Sequence, residues 1–196
     1  MTRLPLRPFT AALAFCLVVL GPPARSAERA IDKQIEVPAT LDQAWDAWTT
    51  REGITSFFAP DAKVEARPGG AFEIYFDPTA APGSKGADGM QFMAVQPKTM
   101  LSFTWNAPPH LPQARQQRTL VVVRFEPVGD KATRVSLHHT GWGDGGEWDQ
   151  AYTYFERAWG RVLGNLKQRF EKGPQDWTEW LNSLRKAREA APPKAG

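Results

Sequence analysis

From Ile31 to Val37 the chain alternates, with Ile31, Lys33, Ile35 and Val37 set against polar partners, a period-two pattern that predicts a half-buried strand. Pro38 ends it. Thr40 with Gln43 three residues on has the form of a capping box, and Leu41, Ala44, Trp45 and Trp48 follow at helical spacing, so a short helix is expected there. A second short helix is expected from Arg51 to Phe58, with Ile54, Phe57 and Phe58 on one side. The period then returns to two. AKVEA, AFEIYF, GMQFMAVQ, MLSFTWN, TLVVVRFEP and TRVSLHHT read as strands, with Pro68-Gly69-Gly70 and Gly129-Asp130 as turn signals between neighbours. Two longer connections, 77–88 and 107–117, are rich in proline and glycine and are expected to be mobile.

A helical period follows the strands. Trp148, Tyr152, Phe155, Trp159, Val162, Leu163, Leu166 and Phe170 recur at spacings of three and four, a continuous apolar stripe on one long helix. Lys167, Arg169 and Lys172 sit at its end, where cations suit the helix dipole, and Gly173-Pro174 stops it. A last amphipathic helix is expected beyond, with Asp176 and Glu179 as a cap and Trp177, Trp180, Leu181 and Leu184 on one face that packs on the domain. The final APPKAG is expected to be disordered. Sequential strands joined by short turns favour an antiparallel sheet, and only the long helix is long and apolar enough to cover it. The order therefore predicts an α+β helix-grip architecture: a curved antiparallel sheet wrapped around a long C-terminal helix, with two short helices after the first strand and a cavity between sheet and helix.

The first 27 residues stand apart. Arg3 and Arg7 precede an apolar run from Phe9 to Leu20, and small residues follow. This is the layout of a signal peptide, too short for a comfortable membrane span, with cleavage expected near Ser26 or Ala27. The predicted organisation is thus a leader at 1–27, a domain at 28–172 and a helix with tail at 173–196, in a periplasmic or secreted protein with no stable membrane insertion once the leader is gone. The chain carries 24 basic and 21 acidic residues, but Arg3, Arg7 and Arg25 all lie in the leader. The remainder is balanced, which gives no electrostatic case for nucleic acid. The single cysteine, Cys16, also lies in the leader, so disulfides and thiol chemistry are not expected in the domain.

The stretch HHTGWGDGGEWDQ carries the densest set of candidate functional groups. His138 and His139 are neighbours on a strand, so their side chains point to opposite faces and cannot share a metal. No metal and no cofactor is expected. Asp144 and Glu147 have the spacing of a helix cap, and the glycines at 141, 143, 145 and 146 let the chain turn from sheet to helix. His139 shares the inward phase of Val135 and Leu137, which makes it a weak candidate general acid or base; a hydrogen-bonded core histidine is the simpler reading. The inward phases of the other strands bring Phe72 and Ile74, Phe92, Phe103 and Trp105, and Val123 towards the helix. From the other side come Phe57, Phe58, Trp142, Trp148, Tyr152, Phe155 and Trp159. These rings form either a filled aromatic core or the wall of a cavity for a flat, apolar ligand, with His139 and Tyr152 as polar handles.

The runs IEVPATLDQAWDAWTTREGITSFFAPDAKVEARPGGAFEIYF and HHTGWGDGGEWDQAYTYFERAWGRVLGNLKQRF resemble the SRPBCC (START-like) superfamily. Within it, the similarity is to the branch named after the activator of heat-shock-protein 90 ATPase, and it extends over roughly residues 30 to 172. The resemblance implies the helix-grip fold of START-like and Bet v-like proteins. For function it leaves three expectations. The first is binding of a hydrophobic small molecule by a monomer or weak dimer. The second is an enzyme of cyclase, dehydratase or hydrolase type in the same cavity. The third is a partner-binding, co-chaperone-like module. An exported protein would not meet a cytosolic chaperone, and Phe57-Phe58 stands where the branch often has Trp-Phe.

Overall fold

The computed structural model describes residues 28–190; the expected leader at 1–27 and the APPKAG terminus lie outside the described residues. The elements run β1 (Ile31–Val37), α1 (Leu41–Thr49), α2 (Arg51–Thr55), β2 (Asp61–Val64), β3 (Phe72–Tyr75), β4 (Phe92–Gln96), β5 (Met100–Trp105), α3 (Pro112–Arg115), β6 (Thr119–Val128), β7 (Ala132–Thr140), α4 (Gly146–Lys172) and α5 (Thr178–Glu189). The strands form one antiparallel sheet in the order β1-β7-β6-β5-β4 and a β2-β3 ribbon. The ribbon continues the sheet past β4: the Phe72 amide donates to the Met90 carbonyl and the Phe92 amide to the Gly70 carbonyl, both at 2.9 Å. The sheet curves around α4, as the two periodicities predict.

Local chemistry explains most boundaries. The Thr40–Gln43 capping box forms in full, with the Gln43 amide donating to Thr40 Oγ1 at 3.3 Å and the Thr40 amide to Gln43 Oε1 at 3.0 Å. The second helix ends at Thr55 and does not reach Phe58: Ser56 Oγ donates to the Gly53 carbonyl at 2.6 Å, and Pro60 lies just ahead. Phe57 and Phe58 therefore enter the core from a turn, both nearly fully buried. At the far end, Gly173 (φ +101°) caps α4, its amide donating to the Arg169 carbonyl at 3.0 Å; a left-handed residue here favours glycine.

The expected cap of α4 is not what starts it. The N-cap is Gly145, at φ +72°, and no side chain caps the helix. Asp144 lies one residue too early; its side chain is 99% exposed and lies 3.9 Å from Arg29. Glu147 instead reaches across to α3, where its Oε2 accepts from the Ala114 amide at 2.9 Å. That amide is one of the orphan donors of a helix whose own N-cap, Leu111, offers no acceptor. Glu147→Ala should cost about 1 kcal/mol, the scale of a lost N-cap, read as a fall in urea midpoint. An unchanged midpoint would show the bond to be idle.

The connections expected to be mobile are tied to each other. Arg115 donates to the carbonyls of Gly83 and Gly86 at 2.7 and 2.8 Å and to that of Ala107. Asp88, 3.6 Å from the same guanidinium, accepts from the Gly83 and Gly86 amides, both at 2.9 Å. Arg115 and Asp88 are only 14% and 15% exposed. Composition reported the glycines, and nothing local marked one arginine as the partner of both loops.

Candidate functional site

The inward faces of the strands meet α4 as expected, and there they leave little space. Phe57, Phe72, Ile74, Phe92, Phe103 and Val123 are all fully buried in one cluster with α4 residues Phe155, Trp159, Leu163 and Leu166. Ring centroids lie 4.1 Å apart for Phe72–Phe103, 4.7 Å for Phe72–Phe92 and 5.6 Å for Phe103–Trp105. The region between sheet and helix that was expected to hold a cavity is filled by these rings.

His139 belongs to this filled interior. It is wholly buried, and both ring nitrogens are engaged. The Trp159 indole N–H, which can only donate, reaches Nδ1 at 2.8 Å. Nδ1 is therefore unprotonated, and Nε2–H donates to Thr119 Oγ1 at 2.7 Å. That hydroxyl in turn donates to the Trp105 carbonyl at 3.3 Å. Burial, and secondarily the nearby His138, lowers the His139 pKa to about 3. A neutral imidazole with its tautomer fixed and both nitrogens occupied has no free position from which to exchange a proton with a ligand. His138 points to the other face, where it bonds Asp32 at 2.8 Å. Among the described residues no group of three or more His, Cys, Asp or Glu side chains is placed to hold a metal.

Three residues expected in the cavity have other places: Trp148 leaves the main cluster, and Tyr152 and Trp142 pack at its margin. Trp148 packs in a satellite cluster with Ala107, Leu111, Ala114 and Ala151. It is directed there because its indole lies against Gly143, where a Cβ would come within 2.4 Å of it. Tyr152 faces β1: its hydroxyl donates to the Ala30 carbonyl at 2.9 Å, and Arg29 sits over its ring. It is not a polar handle in a cavity. The Trp142 ring lies tilted against His139, with centroids 4.2 Å apart, and its indole N–H donates to the His139 carbonyl. Asp61 is held by Arg51 at 2.7 and 2.9 Å.

Open space lies on the flank of α4, beneath α5. Two clefts of about 480 Å³ each adjoin there. The first is walled by Phe58, Phe76, Trp105, Phe155, Trp159 and Val162, and closed by Trp177, at the N-cap of α5, and Trp180 within it. Its polar edge is a stripe on α4, Arg161, Asn165 and Gln168, one face at spacings of four and three. The second runs between segments 84–87 and 105–110, with Tyr154, Trp180 and Leu184. Of the rings singled out from sequence, the structure brings Phe58, Trp105, Phe155 and Trp159 to the clefts. Sequence reasoning missed Tyr154 and Arg161, and it placed Trp177 and Trp180 on the tail's apolar face without assigning them to a site. The amphipathic face of the tail helix was the available signal, read there as packing alone. The Trp105 indole N–H is buried and has no acceptor among the described residues. Among the described residues no helix is long and apolar enough to cross a membrane.

The model of the family described as Activator of Hsp90 ATPase homolog 1-like protein matches residues 38–171. No curated protein matches the sequence. Among solved structures, a protein from Mesorhizobium loti is similar at 20% identity and TM-score 0.60, over 75% of this chain and 100% of that one. The Aha1 dimer from Colwellia psychrerythraea is similar at 18% identity and TM-score 0.57, over 74% and 98%. CalU16 from Micromonospora echinospora is similar at 20% identity and TM-score 0.55, over 83% and 88%. At these identities the likeness is one of fold.

Proposed function

The chain belongs to the family of Activator of Hsp90 ATPase homolog 1-like proteins, and from that premise we propose that it binds a hydrophobic small molecule, without catalysis, in the clefts between α4 and α5. The observation that carries this reading is the pair of adjoining clefts of about 480 Å³ each, the first walled largely by aromatic rings and sharing five of them with the second. Each lies within the range of about 300 to 1,000 Å³ usual for small-molecule sites, with few polar groups among apolar ones. An enzyme would need polar groups converging on one point, and the buried histidine is already bonded at both nitrogens. The leader at 1–27 supports a site that works outside the cytoplasm, and intact mass of the exported protein tests this: a retained leader would contradict it.

Titration with N-phenylnaphthylamine, a neutral fluorescent probe, tests the binding reading. Saturable fluorescence with one limiting stoichiometry is expected, together with a raised melting temperature. At a probe concentration of about 100 Kd the stabilisation should approach about 2.7 kcal/mol. Absence of saturation would remove the proposal.

The polar edge predicts a preference among ligands. Arg161 is exposed and forms no ion pair among the described residues. Arg161→Gln should weaken the anionic probe anilinonaphthalene sulfonate about threefold, the scale of one exposed charge contact. Binding of the neutral probe should not change. Equal effects on both probes would show that the arginine shapes the cleft without reading charge.

A further inference from the structure

The family match ends at residue 171, and α5 begins at Thr178. The helix that closes the clefts therefore lies beyond the segment that the family model matches. Its attachment is polar and sparse. Trp177 Nε1 donates to the Thr55 carbonyl at 2.6 Å, Trp180 Nε1 to the Phe76 carbonyl at 2.7 Å, and Arg188 to Asp77 at 2.9 Å. No residue of α5 is buried, and Trp180 and Leu181 remain 45% and 39% exposed. A 12-residue helix of this kind is marginal by itself. The chain leading into it is anchored by the Gln175 amide, which donates to the Ser56 carbonyl at 2.8 Å, so movement of α5 would pivot after that point.

Trp180 occupies a particular place. The two clefts share Phe76, Trp105, Tyr154 and Phe155, and the fifth shared residue is Trp180 itself. The first cleft extends from this common wall towards Phe58 and Val162, and the second towards the 105–110 segment. The Trp180 indole, pinned to the end of β3 through the Phe76 carbonyl, stands where the two meet.

We infer that the two clefts are halves of one elongated site, that Trp180 is the partition between them and sets the length of molecule accepted, and that α5 is the clasp that retains it. The ligand class is an extended, mainly apolar molecule with a polar end at the Arg161 stripe. A short molecule occupies one half with the partition in place. A long one requires the indole to leave its carbonyl, which exchanges one hydrogen bond and an exposed ring contact for burial of apolar ligand surface in both halves. The inference rests on the binding reading above.

The test uses the full chain, a short probe, N-phenylnaphthylamine, and a long rigid one, diphenylhexatriene. Trp180→Ala removes the partition; because the ring is half exposed, the fold should survive, with circular dichroism as the check. Diphenylhexatriene affinity should then rise about fivefold or more relative to the short probe, a scale set by steric exclusion from a pocket. Trp180→Phe keeps a ring and loses the N–H. It should keep the short-probe preference while speeding probe release, because the clasp has lost a hydrogen bond. An unchanged affinity ratio in Trp180→Ala, with short-probe binding intact, would overturn the partition and leave the cavity reading standing. Failure of the unaltered protein to bind the short probe would overturn both.

Discussion

Phe103→Ala is expected to lower the free energy of unfolding by about 3 to 5 kcal/mol, the range for deleting a ring from a packed interior. Phe103 is fully buried, its ring 4.1 Å from Phe72, 5.6 Å from Trp105 and 6.4 Å from Trp48. It borders neither cleft, so no open space already adjoins it and neighbouring rings cannot close over the hole without breaking their own contacts. Urea unfolding followed by fluorescence measures the loss. Binding of N-phenylnaphthylamine, normalised to folded protein, should change little. A loss below about 1 kcal/mol would mean that the ring faces space after all, and the assignment of open volume to the α4–α5 flank would then be wrong.

The second large effect is a loss of stability on mild acidification, and it originates in His139. The folded-state pKa is depressed to about 3 by burial, with His138 adding to it, whereas the unfolded histidine titrates near about 6.5. Between those values the unfolded chain takes up a proton that the folded chain refuses, so stability falls as pH drops. The contribution is fully present above about pH 6.5 and declines by about 1.4 kcal/mol per unit below it, which makes about 2 kcal/mol between pH 7 and pH 5. His139→Gln should be less stable at pH 7, because the Trp159 and Thr119 bonds are disturbed. Its stability should also vary much less between those two pH values. Unfolding curves at pH 7, 6 and 5 decide the matter: equal slopes in both proteins would show that other groups carry the acid sensitivity.

The two predictions concern residues that sequence reasoning handled differently. Phe103 and His139 were both placed on the inward face of their strands by a period of two, and both are there. The same reasoning could not say whether the inward face meets a void. Inward phase is set by alternation along one strand, while free volume depends on how rings from five or six segments interlock, and Phe57 with Phe58 arrives from a turn that no period specified. The Asp144–Glu147 spacing shows the limit in another form. A capping box is legible when the helix start is known, as at Thr40. Here glycines on both sides allowed the helix to begin at Gly146, which moved Asp144 out of reach and freed Glu147 for an amide 33 residues away.

The site was partly legible for the same reason. Phe155 and Trp159 lie on the apolar stripe of α4, and that stripe is written in the spacing of the chain. The stripe could not show which flank of α4 stays open, because that depends on where α5 lands, and α5 lands through indole N–H bonds to backbone carbonyls at residues 55 and 76. A backbone carbonyl has no sequence signature. By itself the sequence determined the succession of strands and helices along the chain, the helix that fills the sheet, the inward rings and the divergence of the two histidines, because each follows from periodicities of two and 3.6 acting on neighbouring residues. Only the tertiary structure decided that the interior is filled, that His139 is locked between Trp159 and Thr119, and that space opens beneath the last helix. Each of those is a matter of volume and hydrogen-bond partners contributed by segments far apart in the chain.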